Sequence, residues 1–500
     1  MQRIFSWNRA RIAVLVAALA LVAGFPLGCG STPTASTRIS ALKPHAGKSL
    51  TVAVGDSALA AELSGRARAW ANRSGAKVTI AAGKATQETD IAIVPQREIS
   101  GPASRGELAE VPDSLTGNGN AFRWDTLLVP YQSSLVQWGS RVVAVPVAGE
   151  GRVCVYRADR FRDPTVAKAY REKYQKDLAA PRTWDDVAEI AAAFHQPGRP
   201  SLPPLPKDPA DALAQFHQIA ACYDRAPTAT GNAEKGNAER ALSFHIDIEG
   251  DRFRPRLDAP AFAAAYAWFH ATAAFRPASG DPFAAITEGS AVVAVLSLRD
   301  VARLPRDPKT GAVSASFGIA AVPGTRTYFN AERQVQQAAG GRNNIPYLGD
   351  GGAYAVVFKR SPNAAAAWDF LNDLAGPDGS ASTLSESALG AGPFRESHLT
   401  NQTGSAIWQR YGFDEARTKE LGAAVQTYAS STVANPALPL RTPDAAEVYA
   451  ILDAQLRRAA NGQATGPEAA SAAIAAWAEH DRKQDAEQLK LWRRQAAGLD

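Results

Sequence analysis

The stretch "SLTVAVGDSA" (residues 49–58) joins an apolar run to a turn, and it indicates the fold class. Residues 50–54 form a largely apolar run that a glycine ends, which is typical of a buried parallel strand. A helical pattern follows over residues 58–71, and two further apolar runs cover 77–82 and 90–95. Because strands that alternate with helices favour a sheet covered by helices, we predict an α/β fold.

Later segments carry the same kinds of signal. Residues 141–161 contain two strand-like runs on either side of "GEG" (149–151). We predict a helix start at Thr183, a good N-cap residue that is followed by acidic residues in the first turn. Residues 443–492 are predicted to be helical, and residues 325–344, which lack apolar periodicity, to form an ordered excursion.

The length and composition indicate an ordinary globular protein with two lobes. Five hundred residues exceed what one hydrophobic core usually serves, and 46% of them are hydrophobic. Three of the excess basic residues precede position 29, which leaves 51 basic against 49 acidic residues in the remainder. Because that net charge of +2 comes without a basic stripe interleaved with aromatics, we predict no nucleic-acid binding.

The first 28 residues have the pattern of an export signal. Basic residues lead into the apolar run 12–27, which is shorter than the roughly 20 residues of a membrane-spanning helix. Gly28 precedes Cys29, and this junction resembles a bacterial lipobox, although Pro26 stands where leucine is usual. We predict a signal peptide over 1–28, lipidation at Cys29 and a flexible tether over 29–48. Ordinary cleavage and an uncleaved anchor are the alternatives.

Two cysteines remain besides Cys29. Export would permit a disulfide between Cys154 and Cys222. The sequence cannot show whether they lie close together, so two buried free thiols are the alternative.

Catalytic and metal-binding patterns are absent from the sequence. "GDSAL" (55–59) echoes a serine esterase, but none of the seven histidines has an aspartate three positions before it. No phosphate loop, dinucleotide fingerprint or local metal-ligand spacing is present. We therefore predict no enzymatic activity, no cofactor and no metal, and we keep a GDSL-like esterase only as a remote alternative.

The order of segments resembles a known family. "VVAVPV" (142–147), "EGSAVVAVLSLRD" (288–300), "GDGGAYAVVF" (349–358) and "GAGPFR" (390–395) follow one another as in the sugar-type extracellular solute-binding proteins of ABC importers, a family that includes maltose-binding protein. The resemblance covers most of the chain from residue 49 onward.

The resemblance implies two α/β lobes of the Venus-flytrap type, joined by a hinge, with the ligand in the cleft between them. It implies that lobe 1 comprises residues 49–151 and 345–430. Lobe 2 would comprise 152–344 and 431–490, leaving 491–500 as a tail. The three crossings between lobes would lie near Gly151, at 347–352 and at 430–438, where glycine or proline residues punctuate the chain.

Some ligand-binding residues follow from this resemblance. Asp56 and Glu150 match acidic positions that accept hydrogen bonds from sugar hydroxyls, and Tyr449 matches a position that stacks on a sugar ring. Arg299 stands where a stacking tryptophan is expected. The end of the third strand lacks the expected tryptophan as well, and Gln96 follows it.

Further candidates come from their positions at strand ends or beside the crossings. A cleft with fewer aromatic residues and more guanidiniums would suit an acidic ligand, because arginine pairs with carboxylate, sulfate or phosphate. The remaining predicted ligand-binding residues are Ser57, Arg97, Trp124, Arg152, Ser297, Tyr347, Gly351, Gly352, Tyr354 and Arg395.

The sequence thus predicts a monomeric, membrane-anchored lipoprotein on the outer side of a bacterial membrane. It would capture a sugar or sugar-like solute by hinge closure and deliver it to the permease of an ABC importer. The alternatives are a binder of an acidic or sulfated sugar or another anion, and a solute sensor without transport.

Overall fold

The computed structural model describes residues 43–225, 244–249, 252–330, 333–385, 392–429 and 436–500. The predicted signal peptide, Cys29 and the predicted tether up to residue 42 lie outside the described residues, as does most of the third predicted crossing. Within the described ranges, no helix has the length and apolar character needed to span a membrane.

Fourteen strands are described, and short helices join many of them. The strands are β1 (Ser49–Val54), β2 (Lys77–Ala82), β3 (Ile91–Val94), β4 (Gln137–Trp138), β5 (Arg141–Val142), β6 (Val145–Ala148), β7 (Arg152–Arg157), β8 (Ile246–Glu249), β9 (Arg252–Pro255), β10 (Val293–Ser297), β11 (Phe317–Ala320), β12 (Thr327–Phe329), β13 (Val335–Gln337) and β14 (Ala353–Val357).

The described helices fall between these strands and dominate the last third of the chain. They are α1 (Ser57–Ser74), α2 (Ser100–Ser104), α3 (Asp113–Thr116), α4 (Val129–Gln132), α5 (Ala158–Phe161), α6 (Pro164–Tyr174), α7 (Trp184–Phe194), α8 (Pro209–Asp224), α9 (Pro260–Ala271), α10 (Pro282–Glu288), α11 (Leu298–Val301), α12 (Ala364–Ala375), α13 (Pro377–Ser385), α14 (Asn401–Arg410), α15 (Glu415–Ala429), α16 (Ala445–Ala460), α17 (Gly466–Asp481) and α18 (Ala486–Ala496).

The first sheet has the order β2-β1-β3-β14-β6 and forms the centre of what we call lobe 1. Strand β1 pairs in parallel with β2 and β3, as its apolar run predicts. Strand β14 comes from much later in the chain and pairs antiparallel with both β3 and β6. The sheet is therefore mixed. Its inner strand β14 follows the lobe 2 strands in the chain, so the chain crosses back to lobe 1 before it.

The second sheet, β10-β7-β11, forms the centre of what we call lobe 2, and both of its pairings are antiparallel. The sequence predicts the parallel arrangement of an α/β fold, so the pairing direction differs here. The physical reason is that a fully buried strand is an apolar run in either direction, and β7 exposes none of its central residues 153–155.

Helices from the end of the chain complete lobe 2. Helix α9 packs against α8, α16 and α17, and α16 also packs against α8 and α17. The predicted helix start at Thr183 is confirmed, because Thr183 and Asp186 form a reciprocal capping box at the start of α7. The helical prediction for residues 443–492 is confirmed by α16, α17 and α18.

Two predicted boundaries differ from what the structure shows. Residues 43–48, predicted as the end of the tether, lie against α1: the His45 ring stacks on Trp70 at 5.7 Å between ring centres. Helix α18 runs through the predicted start of the tail at 491, and Arg493 on this helix is buried. The excursion at 325–344 contains the hairpin β12–β13.

Candidate functional site

The first crossing between the sheets is the segment 149–151, which joins β6 to β7. On one side, Gly149 forms a bridge with Gly392 of lobe 1. On the other side, the Gly151 carbonyl accepts a hydrogen bond from the Leu298 amide of lobe 2 at 3.0 Å. A side chain at Gly149 would overlap the Pro393 carbonyl. The close approach of these backbones therefore requires glycine.

The second crossing pairs with the described part of the third. Tyr347 and Ala437 form a parallel bridge. The Leu348 amide donates to the Ala437 carbonyl at 2.9 Å, and the Ala437 amide donates to the Pro346 carbonyl at 2.9 Å. These hydrogen bonds join the second and third crossings of the hinge.

Glu150 ties the first crossing to the second. Its carboxylate oxygens accept hydrogen bonds from the backbone amides of Gly349 and, at 3.1 Å, Gly351. Burial raises the pKa of Glu150 to about 7. The sequence predicts a sugar contact at this position, but both carboxylate oxygens are engaged with the hinge backbone.

Asp350, which the sequence analysis missed, is an acidic side chain at this hinge that the hinge backbone does not engage. Both of its carboxylate oxygens are shielded from solvent, and neither accepts a hydrogen bond in the described structure. Burial raises the pKa of Asp350 to about 6, and the nearby Tyr347 hydroxyl, Arg97 and Arg152 oppose this rise. The available signal was an acid between glycines, at a segment already predicted to cross.

Gln96 and Arg97 directly follow β3 and are the next polar residues of the candidate site, on the lobe 1 side of Asp350. Gln96 is buried, and its side-chain oxygen has no hydrogen-bond partner in the described structure. Arg97 is half-buried and interacts electrostatically with Asp350. These two predicted residues therefore lie together at the carboxyl end of a strand, where ligands of such sheets bind.

Lobe 2 contributes Arg152, at the start of β7, and Asp211, in the first turn of α8. Asp211 interacts electrostatically with both Arg152 and Arg97, although no sequence pattern singled it out. Arg152 in turn interacts with Glu150 and Asp350. Polar groups of both lobes thus face one another across the hinge. We call Gln96, Arg97, Arg152, Asp211 and Asp350 the cleft cluster.

An ion pair joins the lobes beside this cluster. Asp56 caps α1 by accepting the Leu59 amide at 2.9 Å, and its second oxygen accepts Arg299 Nη1 at 2.5 Å. Burial raises the pKa of Asp56, but the Leu59 amide and Arg299 outweigh it and hold the pKa below its usual range. Ser297 caps α11, where its hydroxyl is engaged with Asp300, and Ser57 is exposed.

The tyrosines predicted to bind ligand, Tyr347, Tyr354 and Tyr449, are buried at the hinge. The Tyr347 and Tyr449 hydroxyls are 3.0 Å apart, and Tyr449 also accepts the Leu440 amide at 3.1 Å. Both residues are buried, as is Tyr354, whose ring packs 6.2 Å from that of Tyr131. Tyr449 therefore occupies the core of the hinge, where its hydroxyl is engaged with the Tyr347 hydroxyl and the Leu440 amide.

Trp124 and Arg395 lie inside lobe 1, where their side chains donate hydrogen bonds to other residues of that lobe. All five guanidinium N–H groups of Arg395 donate to the carbonyls of Phe122, Arg123 and Ala375 and to the Thr126 hydroxyl. Arg395 has no exposed surface, and the Trp124 indole donates to a backbone carbonyl within lobe 1. The prediction that Arg395 contacts ligand is wrong, because no donor is left for one.

The glycines of the second crossing differ in role. Gly351 is exposed at the cleft, and its amide donates to Glu150. Gly352 is buried, and a side chain there would lie 3.0 Å from both the Ala148 carbonyl and the Tyr354 hydroxyl. Both glycines thus lie close to protein groups, and ligand contact at these two positions stays a prediction.

Cys154 and Cys222 are buried free thiols, so the disulfide that the sequence left open is not formed. Cys154 lies in β7, whereas Cys222 lies near the end of α8 and accepts the Ile345 amide at 3.4 Å. Among the described residues, no group of three or more potential ligands is arranged to hold a metal ion.

The charge of the cleft is mixed. The guanidiniums of Arg97, Arg152 and Arg299 are outnumbered by the carboxylates of Asp56, Glu150, Asp211, Asp300 and Asp350. The arginines therefore do not create the cationic cleft that an acidic ligand would require.

The fold is shared with many solved structures. An ABC transporter solute-binding protein from Agrobacterium radiobacter K84, in complex with ribitol, matches 87% of this chain and 99% of its own with a TM-score of 0.61 and 16% identity. A D-mannitol-bound ABC transporter solute-binding protein from Agrobacterium vitis S4 has a TM-score of 0.57 and 15% identity, and the match covers 87% of this chain and 99% of the other. Maltose-bound MalE3 from T. maritima has a TM-score of 0.59 and 16% identity, and the match covers 86% of this chain and 99% of the other. These likenesses confirm the predicted two-lobed fold.

A comparison with curated proteins found no match. The family model for bacterial extracellular solute-binding proteins matches residues 73–412, which is most of the chain and includes both sheets except for β1. The family confirms the expectation of an exported protein that binds solutes for ABC importers. With its two sheets, its hinge and its polar cleft, this chain belongs to the bacterial extracellular solute-binding protein family.

Proposed function

We propose that this protein binds a small neutral carbohydrate or polyol in the cleft between its lobes and delivers it to an ABC importer permease. The observation that carries this proposal is Asp350, whose two shielded carboxylate oxygens accept no hydrogen bond from the described residues. Such acceptors are costly unless a ligand supplies donors.

A polyhydroxylated ligand has the chemistry that the cleft cluster lacks. Asp350 and the Gln96 side-chain oxygen require donors, whereas Arg97 and Arg152 supply donors of their own. A hydroxyl group can donate to the first pair and accept from the second. A simple anion such as sulfate offers no donors. An acidic or sulfated sugar has hydroxyl donors, but its negative charge would face the surplus of carboxylates, so the acidic-ligand alternative loses support.

The ligands of structural neighbours agree in kind with this proposal. Ribitol, mannitol and maltose are named with three of them. All three are neutral and rich in hydroxyl groups.

Binding is coupled to closure because the cleft cluster draws on both lobes. Gln96, Arg97 and Asp350 belong to lobe 1 or its crossing, while Arg152 and Asp211 belong to lobe 2. A ligand that contacts both sets stabilises the closed arrangement over any open one, which shifts the population toward closure. The closed form would present the surface that the permease recognises.

The test is calorimetric titration of the purified protein with ribitol, mannitol, glucose and maltose. We expect binding of at least one, weakened at least about tenfold by Asp350→Asn, since a hydrogen bond to a charged group contributes about 1.5–3 kcal/mol. Asp373→Asn, at an exposed ion pair within lobe 1, is the control and should bind like the wild type. Binding of sulfate or acidic sugars in place of all four neutral compounds would contradict the proposal.

The remaining parts of the proposal concern location and partners. We propose that Cys29 is lipidated, that residues after it tether a monomer near its permease, and that the protein has no catalytic activity of its own. More than one acyl chain on a single residue would anchor the protein stably. The mass of the mature N-terminal peptide tests the lipid, and an unmodified Cys29 would overturn the anchor without affecting the ligand proposal.

A further inference from the structure

Asp56 and Arg299 form a direct ion pair between lobe 1 and lobe 2. Asp56 directly precedes α1, and Arg299 lies in α11, directly after β10. Their side chains, 2.5 Å apart, are 36% and 42% exposed. The carboxylate oxygens of Asp350, by contrast, are shielded. The ion pair therefore lies nearer to solvent than the unpartnered acceptors of the cleft cluster.

Asp56 is well placed to hold such a contact. One carboxylate oxygen is fixed by the Leu59 amide at the start of α1, which leaves the other oriented toward Arg299. On the other lobe, Ser297 caps α11 and holds its first turn against β10. Both partners thus project from helix starts that follow sheet strands, which fixes their backbone positions. Ordering the long Arg299 side chain still costs entropy and limits the strength of the pair.

We propose that the Asp56–Arg299 ion pair is a latch across the cleft rim that closes over the ligand and limits its length. This inference rests on the proposed carbohydrate or polyol binding. A ligand the size of one sugar ring or a short polyol fits inside the latch, among the cleft cluster. A longer saccharide that extends past the rim has to displace Arg299 from Asp56, so the latch selects against it.

The latch also acts without ligand. Because it joins the two lobes directly, it favours the closed arrangement of the unliganded protein. An exposed ion pair of this kind is expected to shift that equilibrium by up to about fivefold. Screening weakens it, since the Debye length falls to about 3 Å at roughly 1 M salt.

The experiment compares wild type with Arg299→Gln and Asp56→Asn. Asparagine at position 56 keeps the helix cap and removes the charge, which separates the two roles of Asp56. Arg73→Gln is the matched control. Arg73 lies in α1 and pairs with Asp373 at the same distance of 2.5 Å, but within lobe 1.

Two readouts are used: the affinities for ribitol, glucose and maltotriose, and the radius of gyration of the ligand-free protein by small-angle scattering. We expect wild type to prefer the two shorter compounds over maltotriose. Both latch variants should reduce that preference by about fivefold and increase the ligand-free radius, as should roughly 1 M salt in wild type. The Arg73→Gln control should change neither.

The outcomes separate the latch from the proposed function. Binding of the short compounds with an unchanged preference in both latch variants, or equal wild-type affinity for maltotriose, overturns the latch and leaves carbohydrate binding intact. Failure of every neutral compound to bind wild type overturns the proposed function and the length limit together. An unchanged radius of gyration in both variants overturns ligand-free closure by the ion pair.

Discussion

Glu150→Gln tests whether a buried carboxylate controls the stability of the hinge. Glu150 is 4% exposed, and its oxygens accept the Gly349 and Gly351 amides. Burial raises its pKa from 4.5 to about 7. Between these two values the native state binds more protons at this site than the unfolded state. The contribution of Glu150 to the free energy of unfolding therefore falls as the pH rises through this window.

The magnitude follows from the shift in pKa. A change of one unit corresponds to 1.36 kcal/mol, so the full loss is about 3 kcal/mol, most of which falls between pH 5 and pH 8. Glutamine cannot ionise, so the variant lacks this loss. Its amide group also faces a backbone N–H where the carboxylate accepted one, which destabilises it by about 1–3 kcal/mol at every pH.

The assay is urea unfolding of both proteins at several values between pH 5 and pH 8. The free energy of unfolding of the variant, relative to wild type, should rise by about 2–3 kcal/mol across this range. Glu107→Gln is the control. Arg105 lowers the pKa of Glu107, so its variant should show a small trend of the opposite sign. A Glu150→Gln difference that stays constant or falls with pH would refute the reasoning.

Three further predictions concern buried groups. Arg395→Met leaves several buried carbonyls without donors and should lower the free energy of unfolding by at least about 3 kcal/mol in urea titrations, with ligand affinity of the folded protein unchanged. Tyr449→Phe removes the acceptor of the Leu440 amide and should destabilise by about 1–3 kcal/mol, whereas a loss of ligand affinity alone would indicate that the Tyr449 hydroxyl contacts the ligand. Burial raises the pKa of Cys154 to about 12 and that of Cys222 to about 11, so both should react with a thiol reagent only after unfolding and without prior reduction.

Local chemistry made part of the fold predictable. The apolar run of β1 and the glycine after it are signals within ten residues, and so is the capping box at Thr183. The pairing direction of the second sheet was not predictable, since buried strands carry the same apolar pattern whichever way they run.

The candidate site likewise contains residues that the sequence could predict and one that it could not. Asp56, Gln96 and Arg97 follow strands of a sheet whose ligands bind at that edge, so their shared position could be predicted. Asp350 was missed because its importance depends on what surrounds it. An acid between glycines is usually a solvated turn, and only tertiary packing shields this one from solvent.

At two positions that the family resemblance assigns to ligand contact, the structure shows contacts with other residues of the protein. Arg299 was expected in place of a stacking aromatic residue, and the structure pairs it with Asp56 across the cleft. Glu150 was expected to bind sugar, and the structure engages it with the hinge backbone. Hydrogen-bond partners from distant segments decide the function of a charged side chain, and no sequence window contains them.

The sequence by itself determined the alternation of strands and helices in the first lobe and the start of α7, because each rests on the chemistry of neighbouring residues. Only the tertiary structure decided which acids are free for a ligand, which arginine is structural and which pair joins the lobes. Those properties depend on burial and on contacts between residues that lie hundreds of positions apart, such as Asp56 and Arg299.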